Sequence, residues 1–163
     1  MTDSLFPDIE STEQFKNAHE AFNELIRSFK RNHQYYNSSD YQEAEVRKDL
    51  LDKSLKALGW DVDHETQRDP YRQEVKVEKA QKQSKGRADY SFSIGPNYNR
   101  IRFFLEAKRP QQSIDTPENC FQAMRYSWPR GLPVAVLTDF QNWHVIDCRF
   151  RPNIDSAKQR VAL

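Results

Sequence analysis

The sequence predicts an α/β domain with a central mixed β-sheet flanked by helices. Two runs rich in aromatic and β-branched residues, 86–94 and 101–108, are separated by turn residues at 95–99, as in a β-hairpin. Helical periodicity dominates before this hairpin, and one more helix and two strands follow it. At 163 residues the chain is long enough for one domain with a real core.

The first predicted element is an amphipathic helix over roughly residues 12–34. Apolar residues recur there at helical spacing: Phe15, Ala18, His19, Phe22, Leu25, Ile26 and Phe29. The segment from Ser11 to Gln14 fits a capping box with Ser11 as the cap. We interpret His19 as a packed or edge residue, because nothing near it in sequence supports a ligand site. Residues 1–40 are thus expected to form a helical extension.

A second helix is predicted from about Tyr41 to Leu58, with Gly59 in the C-cap position. Its apolar stripe consists of Leu50, Leu51, Ser54, Leu55 and Leu58. At about 100° per residue, Arg47 falls near the middle of that stripe and Glu43 at its margin. Because Glu43 and Arg47 are four residues apart, they can pair. The pair is either a surface ion pair or a charged pair turned toward the sheet to close one side of a metal site.

The central hairpin carries the candidate chemistry. Strand alternation places Phe104, Glu106 and Lys108 on one side of the second strand. The first strand has an apolar face made of Ala88, Tyr90, Phe92 and Ile94. Asp89 therefore points the other way, and the hairpin brings it beside Glu106 and Lys108. Two carboxylates and an ammonium on one rigid sheet suit a divalent cation and an activated water, although solvent-facing charges at a strand end remain an alternative.

Three more strands and a third helix complete the prediction. Residues 74–78 alternate as in an edge strand, residues 134–138 form an apolar strand covered on both faces, and residues 143–147 form the last strand. The stretch 79–87 is polar and basic and predicts a solvated loop. Beyond about residue 150 the chain turns polar, which predicts a linker or the start of a following helix over 151–163.

The third helix begins with strong start signals. Thr116 is the expected cap, Pro117 takes the first helical position, and Glu118 adds an acid to the first turn. Gln122 and Tyr126 are four residues apart and share one face of this helix.

Composition bounds the function. The chain has 25 Lys and Arg against 24 Asp and Glu, so any contact with DNA would be local or assisted by another domain. Cys120 and Cys148 lack metal-ligand spacing and need not pair, which favours a reduced, cytoplasmic setting. No apolar run is long enough to cross a bilayer and no signal-peptide core is present, so no membrane partner is expected.

Several motifs occur in a set order along the chain. They are Glu43-x-x-x-Arg47, Leu58-Gly59-Trp60, Ala88-Asp89-Tyr90, Phe104-Leu105-Glu106-Ala107-Lys108-Arg109-Pro110, Gln122-x-x-x-Tyr126 and Val136-Leu137-Thr138-Asp139-Phe140. The set resembles the PD-(D/E)XK nuclease domain at the N-terminus of type IIG and related type I-like restriction-modification enzymes. The resemblance runs from about residue 41 to 149 and implies a restriction-endonuclease-like fold for a nuclease domain over 41–150. It departs at Ala88, where the superfamily name has Pro.

The resemblance implies a metal site. Asp89 and Glu106 would hold Mg²⁺, with Mn²⁺ as a substitute, together with the backbone carbonyl of Ala107 and a phosphate oxygen. Lys108 would orient or activate the attacking water. Glu43 would support the metal shell from the helix.

The resemblance also implies supporting roles outside the metal shell. Gln122 and Tyr126 would position water or the DNA backbone, and Arg47 would support the site. Basic residues around it could contact phosphates, although such a charge run is also typical of a solvated loop: Lys79, Lys82, Lys85, Arg87 and Arg109.

The implied function is hydrolysis of phosphodiester bonds in double-stranded DNA by an endonuclease domain of a larger restriction-modification enzyme. Methyltransferase and target-recognition domains in the same longer chain would choose the sequence. Because one domain holds one site, a double-strand break would need transient pairing of two copies. Two alternatives stay open: the nuclease domain of an ATP-dependent type I-like restriction subunit, and a catalytically silent nuclease fold that serves as a docking module.

Overall fold

A computed structural model describes residues 12–77, 88–96 and 98–153. The expectations for the basic loop at 79–87, for Ser11 as a helix cap, and for most of the segment at 151–163 therefore lie outside the described residues.

The sheet contains five strands within the described ranges, in the order β1-β2-β3-β4-β5. They are β1 Val75–Val77, β2 Tyr90–Ser93, β3 Ile101–Ala107, β4 Val134–Thr138 and β5 Trp143–Asp147. Strands β3 and β4 run parallel, while every other neighbouring pair is antiparallel. Helices cover the sheet on both faces, so the predicted mixed sheet flanked by helices is confirmed, with β1 at the edge as expected.

The second predicted helix spans residues 43–57 and covers one face. It comprises α3 (Glu43–Val46), a π-helical turn (Arg47–Leu51) and α4 (Asp52–Ala57). Val46, Leu50, Leu51 and Leu55 pack in the main core with Tyr90, Phe92, Leu105 and Ala107 of β2 and β3. Leu58 is 53% exposed, so its place in the apolar stripe was wrong. The helix ends at Ala57, Leu58 is its C-cap, and the left-handed Gly59 (φ +93°) follows, so Leu58 lies at the exposed end of the helix.

The first helix, α1 (Glu13–Arg31), lies beside α4 and buries only the end of its apolar stripe. Phe29 is buried against Tyr36 of the short helix α2 (His33–Tyr36) and against Phe140. Ile26 is 39% exposed, and His19 is exposed beside Asn23, in keeping with an edge position. Thr12 is the observed cap: its hydroxyl accepts a hydrogen bond from the Phe15 N–H.

Helix α5 (Pro117–Ser127) covers the other face of the sheet. As predicted, Thr116 caps it, and its hydroxyl accepts from the Asn119 N–H. A second core joins α5 to β4 and β5 and includes Cys120, Ala123, Met124, Ala135, Leu137 and Ile146. Val136 of β4 packs against the opposite core, so the prediction of a strand covered on both faces is confirmed.

After α5 the chain continues as a 3₁₀ helix, Trp128–Arg130, that ends at the left-handed Gly131. Cys120 and Cys148 are both buried and are not joined in a disulfide. None of the helices in the described ranges has the length and apolarity needed to span a bilayer.

Candidate active site

Asp89 stands at the start of β2, opposite the end of β3. The two strands pair Tyr90 with Leu105, and continuing that register by one residue places Asp89 opposite Glu106. Asp89 Oδ2 accepts a hydrogen bond from the backbone N–H of Ala107 at 2.8 Å. Asp89 Oδ1 accepts from Arg47 Nη1, also at 2.8 Å. This carboxylate is therefore held from two directions, by the neighbouring strand and by the 43–57 helix.

Glu106 and Lys108 form the buried centre of the site, with 4% and 7% of their surfaces exposed. Lys108 Nζ donates to Glu106 Oε1 at 2.8 Å, and Gln122 Nε2 of α5 donates to the same oxygen in a short hydrogen bond. Lys108 Nζ also lies 3.9 Å from Glu43 Oε2. Four of the predicted residues, carried by β3, the chain just after it and two helices on opposite faces of the sheet, thus meet in one cluster.

Burial and charge make Glu106 unusual among the acids of the chain. Burial raises the pKa of Glu106 to about 7; the negative charges of Asp89 and Glu43 act in the same direction, while Lys108 opposes them. Burial also raises the pKa of Glu43, again against the attraction of Lys108. The second oxygen of Glu106, Oε2, is buried without a hydrogen-bond partner among the described residues. A buried carboxylate oxygen without a donor is a natural place for a cation or a water molecule.

The site offers only a few oxygen ligands to a metal ion. Among the described residues, no group of three or more His, Cys, Asp and Glu side chains is arranged to hold a metal ion. A cation would therefore depend on the carboxylates of Asp89 and Glu106, with water, main chain or substrate oxygens completing its shell. Mg²⁺ commonly binds in this way, keeping several waters on one or two carboxylates, so the donor set fits it. The carbonyl of Ala107 as a further ligand stays a prediction.

The two faces of the hairpin differ in part from the predicted alternation. Ala88 does not share a face with Tyr90; it packs with Phe104 and Tyr126 on the α5 side of the sheet. Ile94 is half exposed. The reason is that β2 begins only at Tyr90 and its register with β3 shifts after Phe92, so strict alternation does not extend to either end.

The remaining predicted residues, Arg47 and Tyr126, are placed by tertiary contacts. The sequence suggested that Arg47 can pair with Glu43 along the helix; in the structure a hydrogen bond of its guanidinium reaches Asp89, 42 residues away. Arg47 thus does face the sheet. Tyr126 is buried below Arg125, whose Nη2 donates to the Tyr126 hydroxyl at 2.9 Å. The role of Tyr126 in positioning water or DNA stays a prediction.

Comparison with known proteins gives one informative similarity. The chain is 34% identical over 129 residues to the type II restriction enzyme and methyltransferase RM.Eco57I of Escherichia coli. The matched stretch covers 76% of this chain but only 13% of the relative. No protein-family profile matches the chain, and no solved structure matches it. The chain is thus similar to one segment of a restriction enzyme that is a much longer protein.

Proposed function

We propose that this chain is a metal-dependent endonuclease domain that hydrolyses phosphodiester bonds of double-stranded DNA within a restriction-modification enzyme. The observation that carries the proposal is the convergence of Asp89, Glu106 and Lys108 at one end of the sheet, where Glu106 keeps a buried oxygen without a partner. The similarity to a protein that is both restriction enzyme and methyltransferase supports that context.

The proposed chemistry needs a positive charge near the phosphate and an activated water. Mg²⁺, or Mn²⁺ in its place, would be held by Asp89 and Glu106 and would supply charge neutralisation and a more acidic water. Lys108 places its ammonium beside Glu106, where it can attract and orient the attacking oxygen. A general acid for the departing 3′ oxygen is not assigned among the side chains.

The surrounding residues hold these groups in place. Gln122 donates to Glu106 and so orients its carboxylate, leaving Oε2 for the cation. Arg47 and the Ala107 N–H fix the carboxylate of Asp89. Glu43 is partly exposed and attracts Lys108, whose Nζ lies 3.9 Å from Glu43 Oε2. Such outer contacts keep metal-binding carboxylates in a single orientation.

The proposal extends to the protein's setting. The near-neutral charge of the chain favours sequence choice by methyltransferase and target-recognition domains in the same longer chain. Similarity to a type II enzyme favours this context over an ATP-dependent type I-like restriction subunit. We further propose a cytoplasmic location and transient pairing of two copies during double-strand cleavage.

The test is cleavage of supercoiled plasmid by the full-length protein with Mg²⁺ and with EDTA. Asp89→Ala and Lys108→Ala should each lower Mg²⁺-dependent cleavage by about 100-fold or more while circular dichroism shows a folded protein. Asp115→Ala removes an exposed carboxylate that lies beside His144 and should leave cleavage unchanged. Wild-type cleavage by either site variant would overturn the proposal, and a wild-type protein inert with Mg²⁺ would favour the docking-module alternative.

A further inference from the structure

Exposed arginines and an exposed tryptophan lie on α5, on the 3₁₀ helix that follows it and just after β5. We call this group the arginine–aromatic surface and define it by Arg125, Trp128, Arg130 and Arg151. Each arginine lies over an aromatic ring. The guanidinium carbon is 5.0 Å from the Tyr126 ring centre for Arg125, 5.4 Å from that of Phe104 for Arg130, and 6.0 Å from that of Trp128 for Arg151.

Neutral groups hold the first two of these guanidinium groups. Arg125 Nη2 donates to the Tyr126 hydroxyl at 2.9 Å, and Arg130 Nη1 donates to the Tyr126 carbonyl at 3.1 Å. Within the described part of the chain, no carboxylate oxygen lies within 4.0 Å of either group. Arg149 is different, because both oxygens of Asp147 accept from it. The side chains of Arg125 and Arg130 are thus oriented without a neutralising acid among the described residues.

The surface begins where the candidate active site ends. Phe104, which lies under Arg130, precedes Glu106 by two residues on the same face of β3, or roughly 6.6 Å along the strand. Tyr126 follows Gln122 by one helical turn, and Gln122 donates to Glu106. Both links put the arginine–aromatic surface next to the residues that meet at Glu106.

We propose that the arginine–aromatic surface binds phosphates of duplex DNA beside the scissile bond and holds the strand in register with Glu106. The proposal rests on the proposed nuclease function. Planar guanidinium groups donate paired hydrogen bonds to phosphate oxygens, and prior orientation by the rings lowers the entropy lost on binding. Because the whole chain is nearly neutral, attraction for DNA has to come from local surfaces of this kind.

The test is fluorescence anisotropy of a labelled duplex titrated with the full-length protein in EDTA, between about 50 and 200 mM salt. Arg125→Gln with Arg130→Gln should weaken binding about tenfold and lower the slope of log affinity against log salt by about 2, because two phosphate contacts are lost. Arg149→Gln removes an arginine already paired with Asp147 and should leave affinity and slope unchanged. The melting temperature of each variant checks the fold.

Other outcomes would overturn the assignment. Wild-type affinity and slope in the double variant, an equal loss in Arg149→Gln, or a wild-type protein that does not bind the duplex would each do so. Should the glutamine pair unfold the protein, Arg125→Lys with Arg130→Lys keeps the charges; it should lose affinity severalfold and keep the slope, and wild-type affinity there would overturn the assignment. Asp89→Ala separates the two proposals, because it should lose cleavage and keep DNA binding.

Discussion

Arg47 is the residue that ties the 43–57 helix to the candidate active site. Its guanidinium and the carboxylate of Asp89 form a largely buried ion pair, with the Asp89 side chain 14% exposed. Removing one partner of such a pair leaves the other charge without compensation. Arg47→Ala should therefore lower the free energy of unfolding by about 2 kcal/mol in EDTA, measured by urea denaturation.

A matched control comes from α1. Arg27 pairs with Glu24 on the exposed face of that helix, so Arg27→Ala should leave the free energy of unfolding nearly unchanged. Mg²⁺ should recover part of the stability that Arg47→Ala loses, because a cation can replace the missing charge at Asp89. Equal effects of the two substitutions would mean that the Arg47 pair is no stronger than a surface pair.

Glu106 makes metal binding depend on pH. Its pKa is raised from 4.5 to about 7, so below that pH the carboxyl of Glu106 in the metal-free folded protein holds a proton that a cation must displace. Below the raised pKa, affinity for Mg²⁺ should fall about tenfold per pH unit, since one proton is displaced. The rise in melting temperature caused by Mg²⁺ should thus be larger near pH 8 than near pH 6.

The direction in which the stability of the metal-free protein changes with pH follows from the same pKa shift. With its pKa raised in the folded state, Glu106 contributes stability that is fully present below 4.5 and is lost as the pH rises through about 7. Bound Mg²⁺ should remove this loss, because the ionised form is then compensated. An identical effect of Mg²⁺ on the melting temperature at both pH values would contradict the role given to Glu106.

The 43–57 helix shows which contacts stabilise the layer behind the site. Leu51 is fully buried in the main core, while Leu58 lies past the helix end and is 53% exposed. Leu51→Ala should cost about 3 kcal/mol in the free energy of unfolding, from lost burial and a residual cavity. Leu58→Ala should cost far less, and urea denaturation of the two variants compares them directly. Equal losses would place the helix in a different rotation against the sheet.

For the helices and strands, the sequence predicted most of the architecture. Periodicity and turn residues gave the order of helices and strands, and Thr116 and Gly59 marked helix ends where the structure has them. The π-helical turn at Arg47–Leu51 had no local signal, because it depends on packing against the sheet. The position of Ala88 was wrong because β2 begins only at Tyr90, and where a strand begins depends on its pairing with β3.

The candidate active site likewise combines features that follow from local sequence patterns with features that depend on tertiary packing. Strand alternation could put Glu106 and Lys108 on one side of β3, because that pattern is local, but spacing alone left solvent-facing charges as an alternative. The bond from Arg47 to Asp89 joins residues 42 positions apart, and no spacing rule predicts it. The arginine–aromatic surface likewise follows from the packing of α5 on β3, which brings Arg130 over Phe104.

The described residues contain one candidate active site, which bears on how the proposed nuclease would cut two strands. If two copies pair transiently, double-strand cleavage by the full-length protein should rise more steeply than linearly with concentration. At low concentration, nicked plasmid should accumulate first. Gel analysis of the plasmid products over a series of protein concentrations measures this dependence. A rate of double-strand cleavage that is proportional to protein concentration, without a nicked intermediate, would indicate that pairing is not needed.

In the proposed site, Asp89 and Glu106 share a cation. Titration with Mn²⁺ followed by electron paramagnetic resonance measures this binding, because the free ion gives a signal that binding removes. We expect the wild-type protein to bind Mn²⁺, Asp89→Asn and Glu106→Gln each to lose that binding, and Asp115→Asn to keep it. Undiminished Mn²⁺ binding in both site variants, or none in the wild-type protein, would contradict the proposed site.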